Sequence, residues 1–149
     1  MQRAIILLAT SDPQLEQIAT DAILETSHGL RRIREYPDAV RILAGDTRDV
    51  ALAIIDLDFD QPGPSLLKLL AESEPGFPVL VVADEADAVT RDDEIANVMA
   101  DFLLKPISSG ELAQTIRELC REFELICEES LPRLRGRHHS VALPYPLKT

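Results

Sequence analysis

Short apolar runs alternate along the chain with stretches whose apolar positions recur every three or four residues. Residues 4–9, Ala-Ile-Ile-Leu-Leu-Ala, are continuously apolar and too short for a helix, the pattern of a strand buried on both faces. Asp12-Pro13 follows, an N-cap candidate and then a proline at the first helical position. Leu15, Ile18, Ala19, Ala22 and Ile23 keep helical spacing up to a stop near Gly29. Leu30 to Tyr36 predicts a weaker, charged strand near a sheet edge, and Pro37-Asp38 opens a short helix through Val40, Leu43 and Ala44. Val50 to Ile55 is a second buried strand that ends on Asp56, and Gln61-Pro62-Gly63-Pro64 is a loop leading to a helix through Leu66, Leu67, Leu69 and Leu70. Pro75-Gly76 ends that helix, and Pro78 to Val82 predicts a third buried strand. An acidic loop from Asp84 to Asp87, a modest helix around Ile95 to Met99 and a short strand Phe102 to Leu104 come next. Lys105-Pro106 closes that strand, and Ser108 or Ser109 caps a final helix with Glu111 or Leu112 in its first turn.

The order is strand then helix, five times over. Buried strands alternating with amphipathic helices imply a parallel sheet covered on both faces, and right-handed crossovers reduce the topologies to a doubly wound sheet. Such sheets place function beyond the carboxyl ends of the strands. That directs attention to residues 9–12, 56–60 and 83–85 and to Lys105. The chain has no internal repeat and no glycine-rich phosphate loop, so a dinucleotide or P-loop site is not supported.

Composition narrows the classes further. The 149 residues suit one domain with a proper core. No apolar run approaches the roughly 20 residues of a membrane span, and the first apolar stretch is too short for a signal peptide. The expectation is a cytoplasmic protein with no membrane contact. Residues 130–149 contain Arg133, Arg135, Arg137 and Lys148 and no acid, so they hold +4 of the net −11 and residues 1–129 hold −15. A body that acidic repels phosphate, so nucleic acid is not an expected partner. Cys120 and Cys127 lie two helical turns apart, too far for a disulfide with each other. His138-His139 reads as tail rather than as a metal site.

Four stretches then resemble one family. Leu7-Leu-Ala-Thr-Ser-Asp-Pro13, Ala51-Leu-Ala-Ile-Ile-Asp56-Leu, Phe77-Pro-Val-Leu-Val-Val-Ala83 and Ala100-Asp-Phe-Leu-Leu-Lys105-Pro106 are similar, in order and spacing, to strands of the receiver domain of bacterial two-component response regulators. The resemblance covers about residues 3–122. It implies a CheY-like, flavodoxin-like fold, (βα)5 with a doubly wound five-stranded parallel sheet in the order 2-1-3-4-5. It also implies Asp56 as the phosphoacceptor and Lys105 as the lysine that pairs with the phosphorylated carboxylate. In the family, an acidic pair after the first strand joins the phosphoacceptor in holding Mg²⁺, and a Ser or Thr ending the fourth strand bonds the phosphoryl group. Here the acidic pair falls on Thr10 and Ser11 and the switch hydroxyl on Ala83. Mg²⁺ prefers carboxylates to hydroxyls.

The expectation is therefore a pseudo-receiver with a degenerate phosphorylation site, impaired in Mg-dependent aspartyl phosphorylation and using no metal or other cofactor. Asp56 and Lys105 are expected to persist as an ion pair at the rim of the sheet, with Asp12 capping the first helix. One alternative is an active receiver phosphorylated on Asp56 by a histidine kinase, with Asp12 and Asp56 holding Mg²⁺. Another is a small-ligand-binding domain on the same fold. Asp56, Asp58 and Asp60 alternate like the start of a calcium loop, but the glycine and terminal glutamate of such a loop are missing.

Leu112, Ile116, Leu119, Phe123 and Ile126 recur at four-three-four-three spacing in the last helix. Residues 1–122 are expected to form the receiver-like domain, and 123–149 an extension of helix 5 with a basic, proline-containing tail. Leu119, Phe123 and Ile126 are the candidate contacts of a homodimer that also uses the surface beside helix 4 and the last strand. Many receivers dimerise through a charged face on the last strand and helices 4 and 5. Asp101 matches part of that pattern, and Thr115 stands where a basic residue is expected. The expected mode of action is contact with signalling proteins, a histidine kinase among the candidates, rather than enzymatic turnover.

Overall fold

The computed structural model describes residues 4–60, 65–73, 75–85 and 93–134. The elements run β1 (Ile5–Ala9), α1 (Pro13–Glu25), β2 (Gly29–Arg32), α2 (Tyr36–Ala44), β3 (Val50–Asp56), a 3₁₀ turn (Leu57–Asp60), α3 (Ser65–Ser73), β4 (Val79–Ala83), α4 (Asp93–Val98), β5 (Asp101–Leu104) and α5 (Ser109–Leu134). All strand pairs are parallel, in the order β2-β1-β3-β4-β5. This is the flavodoxin-like sheet that the alternation of elements implied.

Strand periodicity divides the core in two. Leu7, Ala9, Ala53, Ile55, Val79 and Val81 meet the inner faces of α2 and α3. Ile6, Leu8, Leu52, Ile54, Leu80 and Val82 meet α1 and α5. Every residue of β3 is buried, which is why its sequence shows no alternation. The edge strands differ: β2 exposes Arg31 and Arg32, and β5 exposes Asp101 and Leu104.

Local signals explain most element boundaries. Asp12 caps α1 by accepting the Gln14 N–H at 3.0 Å, with Pro13 in the first turn. Ser108, of the two candidate serines, caps α5 by accepting the Glu111 N–H at 3.0 Å. The second strand stops at Arg32 and does not reach Tyr36. The Asp38 carboxylate accepts the Arg34 and Glu35 N–H groups, both at 3.0 Å, and so turns the chain into α2. The expected loop 61–64, positions 86 and 87 of the acidic loop, and the tail beyond Leu134 lie outside the described residues. Among the described residues no helix is long and apolar enough to cross a membrane.

α5 is the longest element, 26 residues or about 39 Å. Leu112, Ala113, Ile116 and Leu119 bury against the sheet and α1. Leu119 is thus committed to the chain's own core and is withdrawn as a dimer contact. Thr115 is buried as well, with its hydroxyl donating to the Glu111 carbonyl at 3.1 Å. It does not stand on an open face, because the buried stripe of α5 is broad enough to include position 115. Side chains on α5 are described up to Phe123, which is half-buried; Ile126 enters as a position on the helix.

Candidate functional site

The carboxyl ends of β1, β3, β4 and β5 bring together the residues that the sequence placed there. Ala9 pairs with Ile55 in the sheet register, so the next residues outward, Thr10 and Asp56, emerge side by side. The Thr10 hydroxyl donates to Asp56 Oδ2 at 2.7 Å and accepts the Asp12 N–H at 3.1 Å. Lys105 leaves β5 with its own N–H bonded to the Ala83 carbonyl at 2.8 Å, next to a cis Lys105–Pro106 peptide. Its ammonium group donates to Asp56 Oδ2 at 3.2 Å and to Asp12 Oδ2 at 3.4 Å, and it lies 3.7 Å from Asp58 Oδ2. Asp56 Oδ1 accepts the Asp58 N–H at 3.1 Å. Asp56 is 1% exposed, and both its oxygens are bonded within the chain.

Charge in this pocket is unevenly compensated. Burial works against the charged form of Lys105, but its hydrogen bonds and charge pairing with Asp56 and Asp12 outweigh this and raise its pKa above the ordinary lysine value. Burial also works to raise the Asp12 carboxyl. The Gln14 amide, Lys105 and the Leu15 amide prevail and hold it below the usual range. Asp58 goes the other way: burial, then Asp84, then Asp56 raise its pKa against the pull of Lys105. One ammonium group therefore serves three carboxylates.

Of the positions singled out from sequence, the fold assembles Thr10, Asp12, Asp56 and Lys105 into one network, with Ala83 buried at its edge. Ser11 is exposed. The ion pair of Asp56 and Lys105 is present, as expected. Asp12 is both a helix cap and a pocket residue, because its two oxygens serve different partners. Sequence reasoning treated Thr10 only as a missing acid and overlooked it as a hydrogen-bond donor to Asp56. Asp58, weighed from sequence as part of a calcium-like alternation, instead faces the Lys105 ammonium group at 3.7 Å.

No protein-family model matches the chain. Two curated proteins similar to it are the two-component response regulators EHD1 of Oryza sativa subsp. indica and ORR30 of Oryza sativa subsp. japonica. Each is 26% identical over 117 residues, covering 78% of this chain and 34% of the relative. The chain thus spans about a third of the length of the curated relatives it matches. Among solved structures, NtrX from Brucella abortus superposes with a TM-score of 0.75 at 20% identity, over 92% of this chain and 31% of that one. The signal receiver domain of an HD domain-containing protein from Pseudomonas fluorescens Pf-5 superposes with a TM-score of 0.70 at 23% identity, over 86% and 94%. A putative Luxo repressor receiver domain from Vibrio parahaemolyticus gives 0.69 at 17% identity, over 91% and 99%. The chain has the fold of CheY-like receiver domains and is similar in sequence to two-component response regulators.

Proposed function

We propose that the chain is a receiver-like signalling module that acts through protein–protein contacts and not through aspartyl phosphorylation. One observation carries this reading: the Asp56 carboxylate, buried, already accepts the Thr10 hydroxyl and the Lys105 ammonium on one oxygen and the Asp58 amide on the other. Those three bonds take three of the roughly four lone-pair sites of a carboxylate, and phosphoryl transfer needs a free one beside a cation that neutralises the incoming group. The donor set does not suit Mg²⁺, which demands near-octahedral oxygen ligation at about 2.0–2.1 Å. Thr10 and Ser11 supply hydroxyls where carboxylates serve better, and the ammonium group of Lys105 lies among the remaining acids. Ala83 has no hydroxyl with which to report a phosphoryl group. The module then works by binding signalling proteins, without enzymatic turnover and without a cofactor.

Asp12 favours a second reading. Its Oδ2 turns toward Lys105 at 3.4 Å, so the pocket keeps one carboxylate from the end of β1. In that reading a histidine kinase phosphorylates Asp56, with Asp12 and Asp56 holding the metal. Intact mass after incubation with Mg²⁺ and acetyl phosphate separates the two. The expected result is an unchanged mass. Stoichiometric addition of one phosphoryl group, abolished in Asp56→Asn, overturns the proposal.

A further inference from the structure

β2 is an outer strand of the sheet, bonded on one side to β1. The Gly29 N–H donates to the Ala4 carbonyl at 2.7 Å, and the Ile33 N–H donates to the Leu8 carbonyl at 2.8 Å. Backbone groups alternate sides along a strand. Gly29, Arg31 and Ile33 therefore turn theirs toward β1, and Leu30 and Arg32 turn their N–H and C=O groups outward. Among the described residues no strand lies beyond them. Such an edge is a template for another extended chain.

The side chains at this edge are basic. Ile33 enters the core under α2 and Leu30 packs toward α1, so alternation puts Arg31 on the α2 face and Arg32 on the α1 face. Arg32 pairs with Glu16 of α1. Arg31 and Arg34 are exposed and pair with no acid among the described residues. Four of the 15 lysines and arginines lie in residues 130–149, and three of the remaining eleven fall within residues 31–34, which contain no acid. The edge is a basic strip on a body of net −15.

Charge decides what can occupy it. A second copy docking through the same edge would set the arginines of one strand against those of the other, which is destabilising. Residues 130–149 carry four bases and no acid, so the chain's own tail is repelled too. Nucleic acid is repelled by the acidic body. An extended segment with carboxylates at alternate positions meets every requirement. Its main chain bonds Leu30 and Arg32, its carboxylates reach Arg31 and Arg34, and its other face lies beside half-buried Leu30.

We propose that the open edge of β2 docks an extended acidic segment of a partner protein by strand addition. Leu30 and Arg32 supply the main-chain bonds, and Arg31 and Arg34 select carboxylates. This deepens the reading of the chain as a protein-contact module, on which it rests. It makes no use of Asp56, so a gain of mass with acetyl phosphate would overturn the reading of the pocket and leave this edge to be judged separately.

The experiment uses the full chain and a fluorescent heptapeptide of alternating glutamate and valine, followed by anisotropy. Saturable binding is expected, with none for a lysine–valine peptide or for the glutamate–valine peptide N-methylated at every amide. Arg31→Glu/Arg34→Glu is expected to weaken binding by about tenfold or more, with circular dichroism confirming that this variant stays folded. On the unaltered protein, hydrogen exchange of the Leu30 and Arg32 amides is expected to slow by about tenfold when the peptide saturates. The amides of Gly29, Arg31 and Ile33, already bonded to β1, should change less. Absence of binding overturns the proposal, and so does exchange at Leu30 and Arg32 that the peptide leaves unchanged. Equal binding of the N-methylated peptide, or a charge reversal without effect, overturns it by showing that no strand is added or that the arginines do not select. Displacement of the peptide by a thymidine oligonucleotide would assign the strip to nucleic acid instead.

Discussion

The two ends of the sheet differ in how their side chains are used. At the carboxyl ends of the strands, Thr10, Asp12, Asp56, Asp58 and Lys105 bond or face one another, so the polar groups are consumed internally. At the opposite end α1 stops, Ser27 adopts a positive φ of 65°, Leu24 is 63% exposed and α5 runs on to Leu134. The first end gathers its polar groups around one ammonium group; the second exposes an apolar side chain, Leu24. In the reading proposed above, the ion pair of Asp56 and Lys105 is structural, and contact with other molecules belongs to surfaces away from it.

That contrast can be broken most forcefully at Lys105. Lys105→Met leaves the buried Asp56 carboxylate with neutral donors alone, and breaking a buried pair in this way costs about 3 kcal/mol. The midpoint of chemical denaturation at neutral pH reads the loss, and adding Asp56→Asn is expected to recover more than half of it. The folded-state pKa of Lys105 is raised, so its contribution is full below the unfolded value and disappears as pH rises through the folded one. The gap between wild type and Lys105→Met should therefore hold from pH 6 to 9 and close only in strong alkali. A neutral substitution would mean that the pocket is not held by this pair.

A smaller effect sharpens the comparison at the other end. Ser27 sits in the left-handed region just after α1, where its N–H bonds the Leu24 carbonyl at 3.0 Å. Glycine adopts this conformation without steric cost. Ser27→Gly is expected to stabilise by about 0.5–1 kcal/mol, read as a higher melting temperature with the pocket untouched. Destabilisation would show that Ser27 is not strained.

The smallest effect returns to the pocket. Asp58 has a raised folded-state pKa, so its charge costs stability at neutral pH, and that cost is relieved as pH falls through the folded value. Its side chain is 59% exposed, and solvent screening limits the gain from Asp58→Asn to a few tenths of a kcal/mol at pH 7. The gain should vanish below the ordinary Asp pKa, where the carboxyl is neutral in both states. A gain that persists at low pH would have to come from something other than charge.

Much of this molecule was written locally. The runs at residues 4–9, 50–55 and 78–82 announced buried parallel strands because both faces of each strand are covered, and that requirement acts on consecutive residues. Asp12-Pro13 and Ser108 marked helix starts because a cap bonds amides two or three residues away. The strand ends likewise directed attention to Asp56 and Lys105, which the fold brings together as an ion pair. The end of the second strand was misplaced, since the Asp38 carboxylate that turns the chain reaches back to amides whose fate the strand pattern does not encode.

Tertiary structure alone decided the rest. Thr10 and Asp56 are 46 positions apart and Lys105 and Asp12 are 93 apart, so their bonds exist only because the sheet order sets β1 beside β3 and carries β5 to the same end. Whether a hydroxyl replaces a lost acid or partners a retained one depends on that register, and no local pattern contains it. The same holds for α5. Its heptad spacing was legible from the start, but the burial of Leu112, Ile116 and Leu119 was fixed by how α5 packs on the sheet and α1.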